Sequence, residues 1–365
     1  MAAAWSIIAL AHPPLAGTAA AGRRRGHEGS DLRGRTVDET LGIGIIGPGR
    51  HGARYARHIL DDFPGLSLAA VSRRSPEGEG QAREWGAAWH RDWAALVADP
   101  AVDAVVAAAT PDINPDVARA CAELGKPLLA EKPLAVNSAA AAGMVRAFEE
   151  KGLPLTVGQT LRFNSTVRAL RALLHEVGPL HSFSADQRLE PPFHQWLDEP
   201  GVAGGGVILH TAVHALDALR FITGLEAERV RAVAYRRGTS RLEDLFTAQL
   251  EFTGGVAGLV EASKVGPARS GRFEFVGAAG TLRGDQVHGT LEFVGPGGPE
   301  ARPQEPPVPT LVPLLRQWEA SLRGAGPNPV PAAEGLAAVR LCEACMRSAE
   351  SDRWIDLEEI EAHGA

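Results

Sequence analysis

The chain has 365 residues, 45% hydrophobic and 22% charged, a length that suits two globular domains and a composition that suits a water-soluble fold. Basic residues number 37 and acidic residues 44, a formal charge of −7. That balance argues against a coat for nucleic acid, because neutralising phosphates needs a basic surface. Cys121, Cys342 and Cys345 are too few for a disulfide scaffold, and no uninterrupted apolar run of about 20 residues suggests a membrane span. The expected setting is the cytoplasm.

Residues 1–40 combine an Ala/Gly tract with Arg23, Arg24 and Arg25. A secretory signal places its positive charge before the apolar stretch, whereas here the arginines follow it. The segment reads as a disordered or mis-started extension. From Leu41 the pattern changes. Leu41 to Ile46 is a strand, followed by a glycine turn and a helix through Ile59. Leu66 to Val71 is a second strand, and helical stretches follow at Gln81 to Trp85 and Trp93 to Val97. Val102 to Ala109, small and β-branched throughout, fits a strand buried on both faces. Asp116 to Leu124 is helical and stops at Gly125. A strand at Leu128 to Ala130, a helix at Ser138 to Lys151 and a strand at Leu155 to Gly158 complete the alternation. Strands alternating with helices imply a parallel sheet with right-handed crossovers, so 41–160 reads as one α/β domain.

After residue 160 the texture shifts. Val167 to Glu176 is helical, Leu180 to Leu189 is a long strand, and Gly204 to Ile222 is a glycine-led helix. Strand-like runs follow at Val230 to Tyr235, Leu245 to Phe252, Val256 to Ser263, Arg272 to Val276 and Leu291 to Val294. Thr253-Gly254-Gly255 is a hairpin signal. The Pro/Gly-rich stretch Gly295 to Pro313 reads as a loop, and Leu315 to Leu322 and Ala332 to Ser348 as closing helices. The class is α/β, with a mostly antiparallel open sheet in a second domain over 161–365. The lone CxxC of Cys342 and Cys345 has no partner ligands to complete a zinc site, and reads as two small residues on a helix.

Gly47-x-Gly49-x-x-Gly52 lies between a strand and a helix. The first glycine allows the tight turn, the second a close approach of backbone to pyrophosphate, the third close packing of helix on strand. The helix N-terminus then offers unpaired N–H groups and a positive dipole end. About 20 residues beyond, where a carboxylate usually meets the ribose hydroxyls of NAD, the chain carries Ser72-Arg73-Arg74. Guanidinium groups suit the extra phosphate of NADP. NADP is favoured, with NAD open.

Glu131-Lys132-Pro133 follows a strand and so falls at the carboxyl edge of the sheet, where ligands bind in open α/β folds. Only four of the 37 basic residues are lysines (Lys126, Lys132, Lys151, Lys264), and an amine, unlike a guanidinium, can lose its proton when buried. His210 and His214 are spaced i, i+4 in the glycine-led helix, and Asp217 follows three residues later. The pair could be core histidines or metal ligands, but no third ligand is evident. Acid–base chemistry is the third reading, since imidazole titrates near neutral pH. Trp196, upstream of the glycines, could cover a sugar face or simply pack.

These motifs occur in one order: Gly47-x-Gly49-x-x-Gly52, Thr110-Pro111, Glu131-Lys132-Pro133, Arg162-Phe163-Asn164, then His214-x-x-Asp217. In that order the chain resembles the glucose–fructose oxidoreductase and inositol dehydrogenase family from about Gly42 to Leu357. The resemblance implies a Rossmann domain, then an α/β domain whose open sheet often joins subunits, and hence a homodimer or homotetramer. It implies NAD(P)-dependent oxidation or reduction of a sugar, cyclitol or related alcohol. Lys132, His214 and His210 would then be catalytic. The same three residues, Asp217 and Trp196 would face substrate. Gly47, Gly49, Arg50, His51, Gly52, Ser72, Arg73, Arg74, Thr110, Pro111, Glu131, Lys132 and Arg162 would face the cofactor. No resident metal and no nucleic-acid or membrane partner is expected. Three positions depart from many members: His210 where Asp is common, Ala212 where Gly is common, and Asp112-Ile113-Asn114 where a histidine is common. A non-catalytic NADP(H) sensor on the same scaffold is the alternative.

Overall fold

The computed structural model describes residues 39–191, 195–238 and 241–361. The expectation for 1–40 therefore lies, save for Glu39 and Thr40, outside the described residues. The first domain is built on β1 (Leu41–Ile46), β2 (Leu66–Ser72), β3 (Ala88–His90), β4 (Ala104–Ala107), β5 (Leu128–Ala130) and β6 (Leu155–Val157). Their order is β3-β2-β1-β4-β5-β6, and every pairing is parallel. All residues of β1 and β4 are buried, as their unbroken apolar runs require of strands covered on both faces. The strand order reverses between β1 and β4, which opens a crevice at their carboxyl ends. Helices α1 (Gly52–Asp62), α2 (Glu77–Glu84), α3 (Trp93–Ala98), α4 (Asn114–Glu123) and α5 (Ser138–Lys151) make the crossovers.

The second domain opens with α6 (Ser165–Leu173) and β7 (Leu180–Arg188). A one-turn α7 (Pro200–Ala203) leads to a π-helical segment, Ile208–Ala212, and to α8 (Val213–Thr223). Strands β8 (Ala227–Tyr235), β9 (Leu245–Phe252), β10 (Val256–Ser263), β11 (Ser270–Gly277), β12 (Gly280–Asp285), β13 (Thr290–Gly295) and β14 (Gly298–Ala301) follow. Then come α9 (Leu311–Leu322), α10 (Ala332–Ser351), β15 (Ile355–Asp356) and α11 (Leu357–Glu361). The sheet runs β14-β13-β12-β11-β7-β10-β9-β8-β15, antiparallel except between β7 and β10. Burial alternates along β9 and β10, as expected of a sheet with one face in the core and one open. The covered face packs Phe183, Phe246, Phe252, Phe273 and Phe275 against α8 and α10. Val233, Tyr235 and Leu259 stand exposed on the strands.

Three readings change. The Gly295–Pro313 loop contains an edge strand, β14, and the first turn of α9, which tolerates Pro313 because first-turn N–H groups have no helical partner. Helix α9 then buries Leu314, Leu315 and Trp318 in the core of the first domain. The glycine-led helix is not one regular α-helix, since it breaks after Ala203 and widens over Ile208–Ala212. Finally, Pro200–Thr223, with mean hydropathy 1.3, is long and apolar enough to cross a membrane, but 83% of its apolar window is buried inside the fold. It is a core element.

Candidate active site

The glycine turn leaves β1 at the crevice. Gly47 has φ +79°, and a Cβ there would lie 2.8 Å from the Ala108 carbonyl oxygen. A Cβ on Gly52 would lie 2.3 Å from the carbonyl oxygen of Gly47, so α1 can sit this close only without a side chain. A Cβ on Gly49 would meet nothing within 4 Å. The backbone N–H groups of Gly49, Arg50 and His51 donate to no described residue. The arrangement fits a pyrophosphate: free donors at a helix N-terminus, beside open space that a side chain at position 49 would fill.

At the tip of β2, Ser72 is buried, Arg73 partly buried and Arg74 exposed. The Arg73 backbone is held, its carbonyl accepting from Trp89 Nε1 at 3.2 Å, while among the described residues its guanidinium makes only a long contact, 3.5 Å, with Gln81. Thr110 and Pro111 lie just past β4, on the same rim, where the Ile113 N–H donates to the Thr110 carbonyl.

Glu131 and Lys132 follow β5 on that rim. Glu131 Oε1 accepts from Tyr55 Oη at 2.6 Å and pairs with His51 Nε2 at 2.8 Å, and Oε2 accepts from the Lys132 N–H at 3.2 Å. Burial alone would raise this carboxyl, but the bonds and charge of His51 and the Tyr55 bond hold it below the usual range. Burial, and then the Glu131 carboxylate, push the Tyr55 hydroxyl well up. Lys132 extends its amine the other way, and Nζ donates to the His210 carbonyl at 3.0 Å. Burial lowers the Lys132 amine, with partial compensation from Glu131.

The acceptor carbonyl belongs to the π-helical segment. A π turn disturbs the regular helix ladder, and carbonyls here take bonds from outside it: His210 from Lys132, and Ile208 from Cys342 Sγ at 3.5 Å. Cys342 and Cys345 are buried free thiols of α10. The His210 ring is buried, with Nε2 donating to the Ala203 carbonyl at 2.9 Å and its face met edge-on by Trp196, centroids 5.4 Å apart. Burial, then the charges of Lys264 and Lys132, push it down to about 3. His214 is partly buried, and its Nδ1 has no partner among the described residues. Burial and then Lys132, His51 and Lys264 take it well below the ordinary value. Both imidazoles are neutral at pH 7.

Asp217 and Arg162 meet each other. Arg162 Nε and Nη2 donate to the two Asp217 oxygens at 2.8 and 2.6 Å, and Nη2 also reaches Glu334 at 2.8 Å. Asp217 is 0% exposed. It has no surface to offer a substrate, and the Arg162 guanidinium is occupied in the second domain's ion-pair network. The structure thus links Lys132, His210 and Trp196 by direct contacts, and commits Asp217 and Arg162 to each other.

Two residues of the site escaped the sequence reading. Lys264, just past β10, carries a charge that acts on both imidazoles. Its only signal was the scarcity of lysine that had drawn attention to Lys132. Gln159, two residues past β6 on the same rim as Lys132, is buried, and neither amide atom has a partner among the described residues. No motif marks it.

A crevice with a phosphate-binding turn, and a lysine on the sheet's rim bonded to a histidine carbonyl of the facing helical segment, defines a dinucleotide-dependent oxidoreductase. Comparison with known proteins resolves the class further. Residues 41–159 match the model described as "Oxidoreductase family, NAD-binding Rossmann fold", and 172–357 match "Oxidoreductase family, C-terminal alpha/beta domain". Inositol 2-dehydrogenase 2 of Saccharopolyspora erythraea is 31% identical, over 85% of this chain and 93% of that protein. D-apiose dehydrogenase of Rhizobium rhizogenes is 27% identical, over 82% and 93%. The aldose-aldose oxidoreductase structure from Caulobacter crescentus, complexed with glycerol, superposes with a TM-score of 0.78 at 24% identity, over 87% and 100%, a likeness of fold alone. The chain belongs to the glucose–fructose oxidoreductase and inositol dehydrogenase family of NAD(P)-dependent oxidoreductases.

Proposed function

We propose that this enzyme interconverts a secondary alcohol and a carbonyl on a sugar, cyclitol or related small molecule, with NADP as the preferred cofactor. The observation that carries the reading is the 3.0 Å bond between Lys132 Nζ, on the cofactor side of the crevice, and the His210 carbonyl on the opposite wall. The names of the relatives support the substrate class. Gly47, Gly49 and Gly52, with the N–H groups of Arg50 and His51, hold the pyrophosphate. Thr110, Pro111 and Glu131 line the same rim. Ser72, Arg73 and Arg74 receive the adenosine ribose, and the two guanidinium groups favour a 2′-phosphate there. NAD remains the other candidate, because neither guanidinium is fixed by an ion pair in the described residues.

The nicotinamide supplies or takes the hydride. The protein's part is position and proton handling. His214, neutral and with an unpartnered ring nitrogen, accepts the hydroxyl proton. The Lys132 ammonium stabilises the developing alkoxide. His210 positions rather than reacts: its ring is fixed by Ala203 and Trp196, and its carbonyl anchors the lysine. Trp196 borders the substrate space. The same reading has the exposed face of the second sheet joining two copies of the chain in a cytoplasmic oligomer. The sensor alternative has no observation in its favour.

The test is steady-state absorbance of the reduced nicotinamide, with NADP or NAD, over a panel of sugars, cyclitols and small polyols. Turnover that is faster with NADP is the expected result. Tight cofactor binding with no turnover across the panel would overturn the enzymatic reading.

A further inference from the structure

His51 belongs to the glycine turn and faces two ways. Its backbone N–H is among the donors left for the pyrophosphate, while its imidazole turns toward Glu131. Nε2 meets Glu131 Oε1 at 2.8 Å, and the ring stands edge-on to Tyr55, centroids 5.5 Å apart. Tyr55, four residues further along the chain, donates to the same oxygen at 2.6 Å. A carboxylate is thereby fixed against the first turn of α1, the helix whose N-terminus receives the phosphates. Glu131 is 8% exposed, and a Cβ on Gly158 would lie 2.7 Å from its Oε1, so the chain closes over it on that side.

Negative charge at that place works against phosphate binding. Against the effect of burial, the bonds and charge of His51 and the Tyr55 bond keep Glu131 ionised at neutral pH. Tyr55 supplies a bond and no charge, its hydroxyl being pushed well up by burial and then by Glu131. Lys132 offers Glu131 its backbone N–H, but its amine reaches away to the His210 carbonyl, at the reacting end of the crevice. Arg50 and Arg54 are exposed. Among the described residues, the His51 imidazole is the side chain that both bonds to this carboxylate and can carry a positive charge. With 41% of its side chain exposed, it has water with which to exchange a proton.

We propose that His51 sets the charge of the cofactor site: as the imidazolium it cancels the Glu131 carboxylate beside the phosphate turn, and as the neutral ring it leaves that charge to repel the dinucleotide. Dinucleotide binding is then linked to a proton held at His51, and the Lys132 ammonium is left to the alkoxide. The inference rests on the glycine turn as the pyrophosphate site, and on nothing about the substrate. The ionisable groups around the ring are Arg50 in the turn, Arg54 and Tyr55 on α1, Glu131 and Lys132 past β5, and His214 on α8, which burial, Lys132 and then the His51 charge lower. Lys132, whose amine is lowered by burial, is the other group here that gives up a positive charge as the pH rises, so the experiment separates the two.

The experiment is calorimetric titration of the full chain with NADP at about pH 6 and about pH 9, on either side of the range in which imidazole changes charge. The comparison is with His51→Gln, which keeps an N–H for Glu131 and carries no charge. Lys132 and the cofactor's 2′-phosphate are common to both proteins, so their titration cancels. The wild type should bind about tenfold more tightly than the variant at the lower pH and about equally at the higher. Heats in buffers of different ionisation enthalpy, near about pH 7.5, should show the wild type taking up protons on binding and His51→Gln taking up fewer. His51→Lys, charged throughout, should bind at the higher pH more tightly than the wild type. Thermal unfolding checks that the variants fold, and the wild-type proton uptake stands without them. An affinity ratio that does not change with pH overturns the proposal, since a constant ratio makes the contact structural; so does wild-type binding without proton uptake. Either result with tight binding leaves the turn as the cofactor site. No binding of NADP or NAD at either pH removes the cofactor reading and this proposal with it, while proton-linked binding without turnover on any substrate removes the dehydrogenase reading alone.

Discussion

Lys132 and His210, 78 positions apart, meet across the crevice through a 3.0 Å bond from Nζ to a main-chain carbonyl. The bond ties the edge of the parallel sheet to the widened helix of the second domain. It sets the amine in place by a backbone atom, so the side chain at 210 is free to vary while the anchor persists. The amine thus remains a hydrogen-bond donor with capacity for two further acceptors, and the proposed mechanism gives one of them to the reacting oxygen.

Lys132→Ala removes that donor. Turnover should fall by about 10²-fold or more if the amine stabilises the alkoxide or moves its proton. Dinucleotide affinity, measured by fluorescence titration, should change far less, since the phosphates are held at the glycine turn. Near-normal turnover would show that the lysine is a bystander.

Gly49→Ala and Gly52→Ala should behave differently. The methyl at 49 meets no protein atom within 4 Å, whereas the methyl at 52 would collide with the Gly47 carbonyl at 2.3 Å. Gly49→Ala should therefore leave the thermal midpoint in place while weakening dinucleotide binding about tenfold or more, because the methyl enters the space of the pyrophosphate. Gly52→Ala should lower both. A Gly49→Ala protein that binds cofactor normally would place the phosphates elsewhere.

The glycine turn and the Glu131-Lys132 rim were legible because each motif is contiguous and its flanking strand and helix are strongly patterned. The parallel sheet followed from the strand–helix alternation. What stayed hidden depends on the third dimension. Strands β3, β14 and β15 are only three, four and two residues long and, unlike the equally short β5 and β6, are not buried throughout, so no apolar run marks them. The π segment carries the same apolar residues as an α-helix, so its widening leaves no trace in the pattern. Asp217 resembled a site residue by spacing, yet its partner Arg162 lies 55 positions away. Lys264 sits in no motif at all, and only its neighbours give it a role.

Asp217→Ala probes that ion pair. It leaves the Arg162 guanidinium buried with Glu334 as its remaining partner. Losing one side of a buried pair costs about 3–5 kcal/mol, toward the lower end where another carboxylate persists. The expected readout is a large drop in the denaturant midpoint, with KM little changed in whatever fraction stays folded. A raised KM at unchanged stability would instead return Asp217 to the substrate.

The two neutral imidazoles predict acid sensitivity. His210 is pushed down to about 3 by burial and the charges of Lys264 and Lys132, and His214 also lies well below its ordinary value. The unfolded chain binds protons at these positions near pH 6.5. Between that value and the folded one, the unfolded state holds more protons, so stability rises with pH there. For His210 it is complete above about pH 6.5 and lost as the pH falls toward 3, at about 1.4 kcal/mol per pH unit; His214 contributes in the same direction. From pH 6.5 to 5 His210 alone should remove about 2 kcal/mol. Urea midpoints of the wild type and His210→Gln, whose amide can still donate to Ala203, test this. The variant should lose less stability over that interval by one histidine's share, and an unchanged slope would mean that His210 is not held neutral by its surroundings.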